Sequence, residues 1–470
     1  MMERPLFVSI DPATNREFAR YDGDTAAEVE RKLDDVVAAQ ASWRRLSVET
    51  RVSLLRRLAE TLRADQPRLA RLITDEMGKP LAEAAGEIEK CAWTCAFYAD
   101  AAPAWLADQV VASSAAYSAV VHEPLGVVLA VMPWNYPFWQ VIRFAAPALA
   151  AGNAIVLKHA ANVPGCALAI ADLFARAGFP DGLVQVVMIE PGAVAGLIAD
   201  PRIAAVTLTG STEVGAIVAG RAGRALKKQV LELGGSDPFI VLADADIEAA
   251  ARAAVTARFV NNGQSCVNAK RFIVEDAVAD RFVEAFTRAA SALKVGDPLD
   301  PEVRIGPMAR ANLRDQLHDQ VLRSLADGAV LALGGAPLDG EGFYYPPTVL
   351  DHVLPHMAAF REETFGPVAA IIRAPDRETA IALANDTEFG LAAALWIGDA
   401  AAGLALARRL DAGAVFVNGV VASDPRLPFG GIKRSGYGRE LGEQGLREFV
   451  NLKTVWVGPA QAPSPAQASA

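Results

Sequence analysis

From Thr25 to Leu106 apolar residues recur at helical spacing: Val29, Leu33, Val36 and Trp43 stand four, three and seven apart, on one face of a helix. Pro67 and Pro80 punctuate this region, so it reads as several helices. From Ala154 the texture changes to short apolar runs, 154–158, 183–187, 204–208 and 228–233, separated by stretches long enough to cross over as helices. Strands joined that way run parallel, and the pattern predicts a doubly wound sheet, which binds nucleotides at the carboxyl ends of its strands. A second alternating series starts at Pro238, passes through a helix ending near Phe259, and continues through 271–275, 366–372 and 412–418. The expected fold class is α/β, with two lobes meeting near Gly234–Gly235, where LELGGSDP breaks the periodicity and a crevice is expected to hold the chemistry. Tyr117–Ala130 has two β-rich runs around Glu123-Pro124 and reads as an arm. The tail from Gly458 is rich in Pro, Ala and Ser and reads as disordered.

Composition narrows the function. Of 470 residues, 52% are hydrophobic and 21% charged, which excludes a mostly disordered or coiled-coil chain. The formal charge of −10 repels phosphate backbones and anionic lipid surfaces, so no nucleic-acid or membrane partner is expected. Four cysteines are too few for a disulfide framework in a chain of this length, and a reducing cytoplasm fits them. The opening residues lack a basic stretch followed by an apolar core, and the most apolar region, 144–157, is short and holds Asn153; neither a signal peptide nor a membrane span is expected. The five histidines have no metal-clamping spacing except His352 and His356, which Pro355 separates, so no metal is expected. Cys91 and Cys95, one helical turn apart beside Trp93, read as core packing.

Four features could carry chemistry. The run AAVTLT leads into Gly210-Ser211 and a helix, which would aim backbone N–H groups and the positive helix end at a pyrophosphate. Gly210 to Gly215 has Walker spacing but is followed by Ala216-Ile217, which excludes a phosphate-binding loop of the ATPase type. Cys266, after Gly263-Gln264-Ser265, is a thiol that a turn could present as a nucleophile or that the core could bury inert. Glu232, between Leu231 and Leu233 at a strand end, is either a desolvated general base or a structural carboxylate. Asn135, between Pro133 and Pro137, is either a fixed oxyanion donor or a turn-closing amide. Together they are compatible with covalent capture of an aldehyde, hydride transfer and hydrolysis.

The segments MPWNYPFW (132–139), LTGSTEVG (208–215), LELGGSDPFIV (231–241), GQSC (263–266), EETFGPV (362–368) and PFGGIKRSGYGRE (428–440) follow one another in the order of the NAD(P)-dependent aldehyde dehydrogenase superfamily. The chain resembles that superfamily from about residue 5 to 456 and, through LKHAANVPGCA and ASDPRLPFGG, most resembles bacterial succinate semialdehyde dehydrogenases that use NAD or NADP. The resemblance implies two Rossmann-type lobes and a β arm: a cofactor-binding domain over 1–116 and 131–234, a catalytic domain over 235–440, an oligomerisation arm over 117–130 and 441–457, and a disordered tail over 458–470. A homodimer or homotetramer is implied.

By the same resemblance Cys266 is the nucleophile, Asn135 with the Cys266 N–H holds the oxyanion, and Glu232 activates the water that hydrolyses the thioester. Trp134, Lys158, Gly210, Ser211, Gly215, Glu363 and Phe365 match cofactor positions. NAD-preferring relatives carry a Glu three residues after this Lys, whereas here Ala161 stands there, so both NAD and NADP are expected to be accepted. Arg143 resembles a substrate-carboxylate arginine, and its fork suits both oxygens. Another such arginine of some relatives is replaced by Val260, with Ser423 or Arg426 as possible substitutes. The expected reaction is oxidation of succinate semialdehyde, with another short-chain semialdehyde or a neutral aldehyde as alternatives. A thiol hydrolase without a redox cofactor, pairing Cys266 with a histidine such as His318, is the rival of another class.

Overall fold

The structure, a computed structural model, describes residues 4–458. Four helices, Ala26–Trp43, Val48–Ala64, Gln66–Met77 and Leu81–Trp105, form the N-terminal region. The first begins at a capping box in which Thr25 and Glu28 satisfy each other's backbone N–H groups. Its buried residues Leu33, Val36 and Trp43 are the stripe seen in the sequence.

A six-stranded sheet has the order Gly436–Tyr437, Lys228–Glu232, Ile203–Thr209, Val127–Val131, Ala154–Lys158 and Val184–Val186, parallel except for Gly436–Tyr437. Register aligns Val131 with Lys158 and Leu208, and Thr209 with Glu232, so the carboxyl ends of the strands deliver their next residues to one rim. A seven-stranded sheet follows, in the order Val330–Leu333, Thr348–Asp351, Val368–Ala374, Ala269–Glu275, Asp237–Val241, Ala392–Trp396 and Ala414–Val417, with only the first strand antiparallel. The chain passes from one sheet to the other through residues 233–236. Tyr117–Pro124 pairs antiparallel with Val450–Val457 and Gln109–Val110 in a three-stranded ribbon.

The expected boundary of the arm at 130 is corrected. Val127–Val131 lies in the six-stranded sheet, between Ile203–Thr209 and Ala154–Lys158. Residues 127–130 are all buried, as befits a central parallel strand covered on both faces, whereas an arm ribbon keeps one face wet. Gly126, at φ +136°, turns the chain from ribbon to sheet, and its N–H donates to Asn153 Oδ1. Gly436–Tyr437, expected in the catalytic lobe, also pairs with this sheet. The expected disordered tail, beyond Gly458, lies outside the described residues. Among the described residues no helix is long and apolar enough to cross a membrane.

Candidate active site

Two loops meet between the sheets. The first follows the strand Val127–Val131 and carries Trp134 and Asn135 into the helix Trp139–Ala150. Glu87, from the helix Leu81–Trp105, accepts from the N–H groups of Phe138 and Trp139 at 2.9 Å each and is itself paired with Lys79. A carboxylate at a helix N-terminus is the favourable sign of charge there, and it anchors the loop. His159, just after the strand Ala154–Lys158, fixes the loop from the other side: its Nε2 bonds Pro137 O at 2.9 Å while Nδ1 accepts from the Ala160 N–H.

The second loop carries Cys266. Asn261, Asn262 and Gly263 all have positive φ, which folds the chain into a tight turn after the helix Ile247–Phe259. A Cβ on Gly263 would lie 2.4 Å from Gly366, so only glycine fits. The Asn135 amide donates to Gln264 O at 3.1 Å, and Asn261 donates to both Asn135 O and Gln264 O, which ties the loops together. Glu83 accepts from the Asn261 N–H, so one helix face, Glu83 and Glu87, supports both loops. Lys270 donates to the carbonyls of Ser265 and Cys266 and pairs with Glu363 at 3.2 Å.

Cys266 and Gln140 are the lining residues shared by two cavities, of about 340 Å³ and 310 Å³. The first is walled by Trp139, Val420, Val421 and Phe429, with Lys90, Arg143 and Ser423 among its polar residues. The second contains Trp134, Asn135, Gly210, Ser211, Glu363 and Phe365, and also Arg310. Burial pushes the Cys266 thiol up to about 12, partly opposed by the positive charges of Lys270 and Arg143.

Several expected site residues take other positions. Gly215 lies inside the helix Thr212–Arg224, where a Cβ would meet Leu233 at 2.4 Å; it lets helix and strand approach and lines neither cavity. Lys158 is buried at the end of its strand, also outside both linings. Glu232 is buried with both carboxylate oxygens unpartnered and lines neither cavity. Desolvation raises its pKa well above the usual carboxylate range, Glu440 raises it further, and Arg143 and Arg439 oppose them. Arg143 lines the first cavity, but its guanidinium is ion-paired with buried Glu440, donates to Thr209 Oγ1 at 3.4 Å and lies over the Phe429 ring. Arg426 is not a cavity residue: Asp424 holds its fork at the exposed surface. His318 bonds Tyr345 Oη and lines neither cavity, so the hydrolase arrangement is not assembled.

Sequence reasoning missed Lys90, Gln140, Lys270, Arg310 and Glu440. One signal was available: Glu83, Glu87 and Lys90 sit at i, i+4 and i+7, a charged stripe on a helix whose other residues are mostly apolar.

Comparison with known proteins places this geometry. The aldehyde dehydrogenase family model matches residues 2–455. The chain is 50% identical over 96% of its length, and 97% of the relative's, to the succinate semialdehyde dehydrogenase [NAD(P)+] Sad of Escherichia coli (strain K12). It is 51% identical, over 96% of itself and 99% of the relative, to a probable succinate-semialdehyde dehydrogenase [NADP(+)] of Synechocystis sp.. The crystal structure of succinic semialdehyde dehydrogenase from Streptococcus pyogenes in complex with NADP+ superposes with a TM-score of 0.94 at 36% identity, covering 96% of this chain and 100% of that one. With a thiol between two cavities and this likeness along almost its whole length, the chain belongs to the aldehyde dehydrogenase family.

Proposed function

We propose that the protein oxidises succinate semialdehyde to succinate with NAD(P)+. The observation that carries this is the position of Cys266, which faces a mainly apolar cavity with cations on one side and a second cavity on the other. Succinate semialdehyde dehydrogenases at 50–51% identity support the choice of substrate.

The second cavity fits a dinucleotide. Gly210 and Ser211 precede the N-terminus of the helix Thr212–Arg224, whose N–H groups suit a pyrophosphate, and Trp134 and Phe365 stand edge to face with centroids 5.8 Å apart. A Cβ on Gly234 would lie 2.5 Å from Glu363, so glycine keeps this rim open. Gly210, Ser211, Trp134, Glu363 and Phe365 would hold the cofactor, with Lys158 and Gly215 supporting the strand and helix behind them. No carboxylate stands at Ala161 to repel a 2′-phosphate, which supports use of both NAD and NADP.

In the reaction, the Cys266 thiol gives up its proton to water and its sulfur adds to the aldehyde carbon, the carbonyl electron pair moving to the oxygen. The Asn135 amide and the Cys266 N–H donate to the oxygen as it becomes negative. A nicotinamide held in the second cavity by Trp134, Glu363 and Phe365 would supply a hydride acceptor, the two-electron oxidant that conversion of the cysteine adduct to a thioester requires. Glu232 then takes a proton from water as it attacks the thioester carbon, and the C–S bond breaks to release the carboxylic acid and the Cys266 thiolate. For this step the Glu232 carboxylate must turn from its place beside Glu440 toward the thioester. Arg143 and Ser423 give the far end of the first cavity its polar character and favour a distal carboxylate.

The three-stranded ribbon exposes Val110, Leu452 and Trp456, which supports edge pairing into a homodimer or homotetramer. The free thiols Cys91, Cys95 and Cys166 support a cytoplasmic location. The test is turnover of purified protein with succinate semialdehyde, glutarate semialdehyde, butanal and longer aldehydes, read as reduced nicotinamide with each cofactor. Succinate semialdehyde is expected to give the highest kcat/KM. Turnover without nicotinamide reduction, or a preference for neutral aldehydes, overturns the reading.

A further inference from the structure

The Cys266 loop rests on a buried charge that takes no part in the proton transfers of the reaction. Lys270 belongs to the strand Ala269–Glu275, which lies between Asp237–Val241 and Val368–Ala374 inside the seven-stranded sheet, and its side chain is fully buried. Its Nζ donates to Ser265 O at 3.0 Å and to Cys266 O at 2.7 Å, and it pairs with Glu363 Oε1 at 3.2 Å. An ammonium has three protons, and three acceptors surround this one. A buried cation is costly unless an anion and hydrogen bonds compensate it, and here both do. Glu363 Oε1 also accepts from the Gly235 N–H at 3.1 Å, which ties the assembly to the segment crossing between the sheets.

The two carbonyls belong to the peptide planes on either side of the Cys266 Cα. Each plane is rigid and trans, so holding its carbonyl oxygen fixes the N–H at its opposite edge. Ser265 O shares its plane with the Cys266 N–H, which has no acceptor among the described residues. That N–H is therefore aimed from the far side of its own peptide. The Asn268 N–H also reaches Ser265 O, at 3.3 Å, but among the described residues Lys270 alone spans both planes. With both planes fixed, the Cα–Cβ bond of Cys266 has one direction, and the residue is held where the two cavities meet. An ammonium on the carbonyl also polarises the peptide, which strengthens its N–H as a donor to an oxygen that becomes negative.

We propose that Lys270 is a positioning residue: by holding the Ser265 and Cys266 carbonyls it aims the Cys266 N–H at the oxyanion and the sulfur at the carbon under attack. This rests on the reading that the Cys266 N–H and the Asn135 amide receive that oxygen. Lys270 lines neither cavity, so it acts through the peptide and not by touching substrate or cofactor. A strand inside a sheet is a rigid base for such a hold, which a loop residue could not supply.

The experiment compares two reagents on the cofactor-free protein. With p-nitrophenyl acetate the sulfur adds to the ester carbonyl, an oxyanion forms, and the C–O bond breaks to release p-nitrophenolate. Iodoacetamide alkylates the same sulfur by displacing iodide, and no oxyanion forms. Burial raises the Cys266 thiol and the Lys270 charge is the largest influence opposing it, so Lys270→Met is expected to slow both reactions; the ratio of acylation to alkylation rate removes that shared loss. The ratio is expected to fall at least tenfold in Lys270→Met and in Asn135→Ala, and less in Lys270→Gln, which keeps a neutral donor. An unchanged ratio in Lys270→Met beside a lowered one in Asn135→Ala overturns the positioning role alone. An unchanged ratio in both overturns the oxyanion reading and the proposal with it. In aldehyde oxidation the loss is expected in kcat, with KM for succinate semialdehyde kept within threefold because no lining residue changes; a loss confined to KM overturns the proposal. Thermal melting identifies a variant that has not folded, and Lys270→Gln then carries the test, an unchanged ratio in it overturning the assignment.

Discussion

Raising the pH on the cofactor-free protein is expected to speed alkylation of Cys266 without reaching a plateau below pH 10. Burial lifts this thiol from an ordinary value of 9.0 to about 12, which corresponds to roughly 4 kcal/mol of disfavour for the thiolate at 1.36 kcal/mol per unit. At pH 8 about one molecule in ten thousand then carries a thiolate, against about one in ten for a free cysteine at 9.0. Iodoacetamide should therefore react on the order of a thousandfold more slowly with Cys266 than with free cysteine at that pH, and about tenfold faster for each unit of pH. Glu363 contributes to the upward shift while Lys270 opposes it, so Glu363→Gln is expected to raise the rate several-fold. The assay is mass spectrometry of the Cys266 peptide over pH 7–10; Cys91, Cys95 and Cys166 are buried and serve as internal controls. A plateau below pH 9 would show that the thiolate is stabilised in the empty cavity and refute the dominance of desolvation.

Glu232→Gln should let one equivalent of reduced nicotinamide form per site and then slow steady-state turnover by about 10²–10⁴, the usual worth of a general base; a normal steady state removes Glu232 from the hydrolytic step. Because Glu440 raises the Glu232 pKa, Glu440→Gln is expected to move the rising limb of the hydrolysis pH profile toward lower pH. His159 is brought down to about 4 by burial, and its two nitrogens already serve one donor and one acceptor role, so a second proton has no partner. Its folded value lies below the ordinary 6.5, so its contribution to stability is present above pH 6.5 and is lost as the pH falls through 4, at most about 3 kcal/mol. Urea unfolding at pH 7.5 and 4 should show a smaller acid loss in His159→Gln than in wild type; equal losses would dismiss this residue as the acid trigger.

The parallel sheets were legible because buried strands of this kind are continuous apolar runs: 154–158 and 204–208 nearly coincide with Ala154–Lys158 and Ile203–Thr209. The strand Ala392–Trp396 left little trace, since three alanines have poor β propensity; Phe239–Val241 and Ala414–Val417 hold it in place through tertiary pairing. Val127–Val131 is visible in the sequence as β-rich, but Glu123-Pro124 marks the passage from ribbon to central sheet, and not a bend within the arm.

At the site, Cys266, Asn135 and Glu363 could be found because each lies in a short motif whose turn is encoded locally. Which way a charged side chain points is settled by residues far along the chain. Lys90 meets Ser423, and Arg143 meets Glu440, only after both sheets and the loop between them have formed. A sequence shows that Arg143 is a cation with the right fork for a carboxylate, but not that a carboxylate already occupies it.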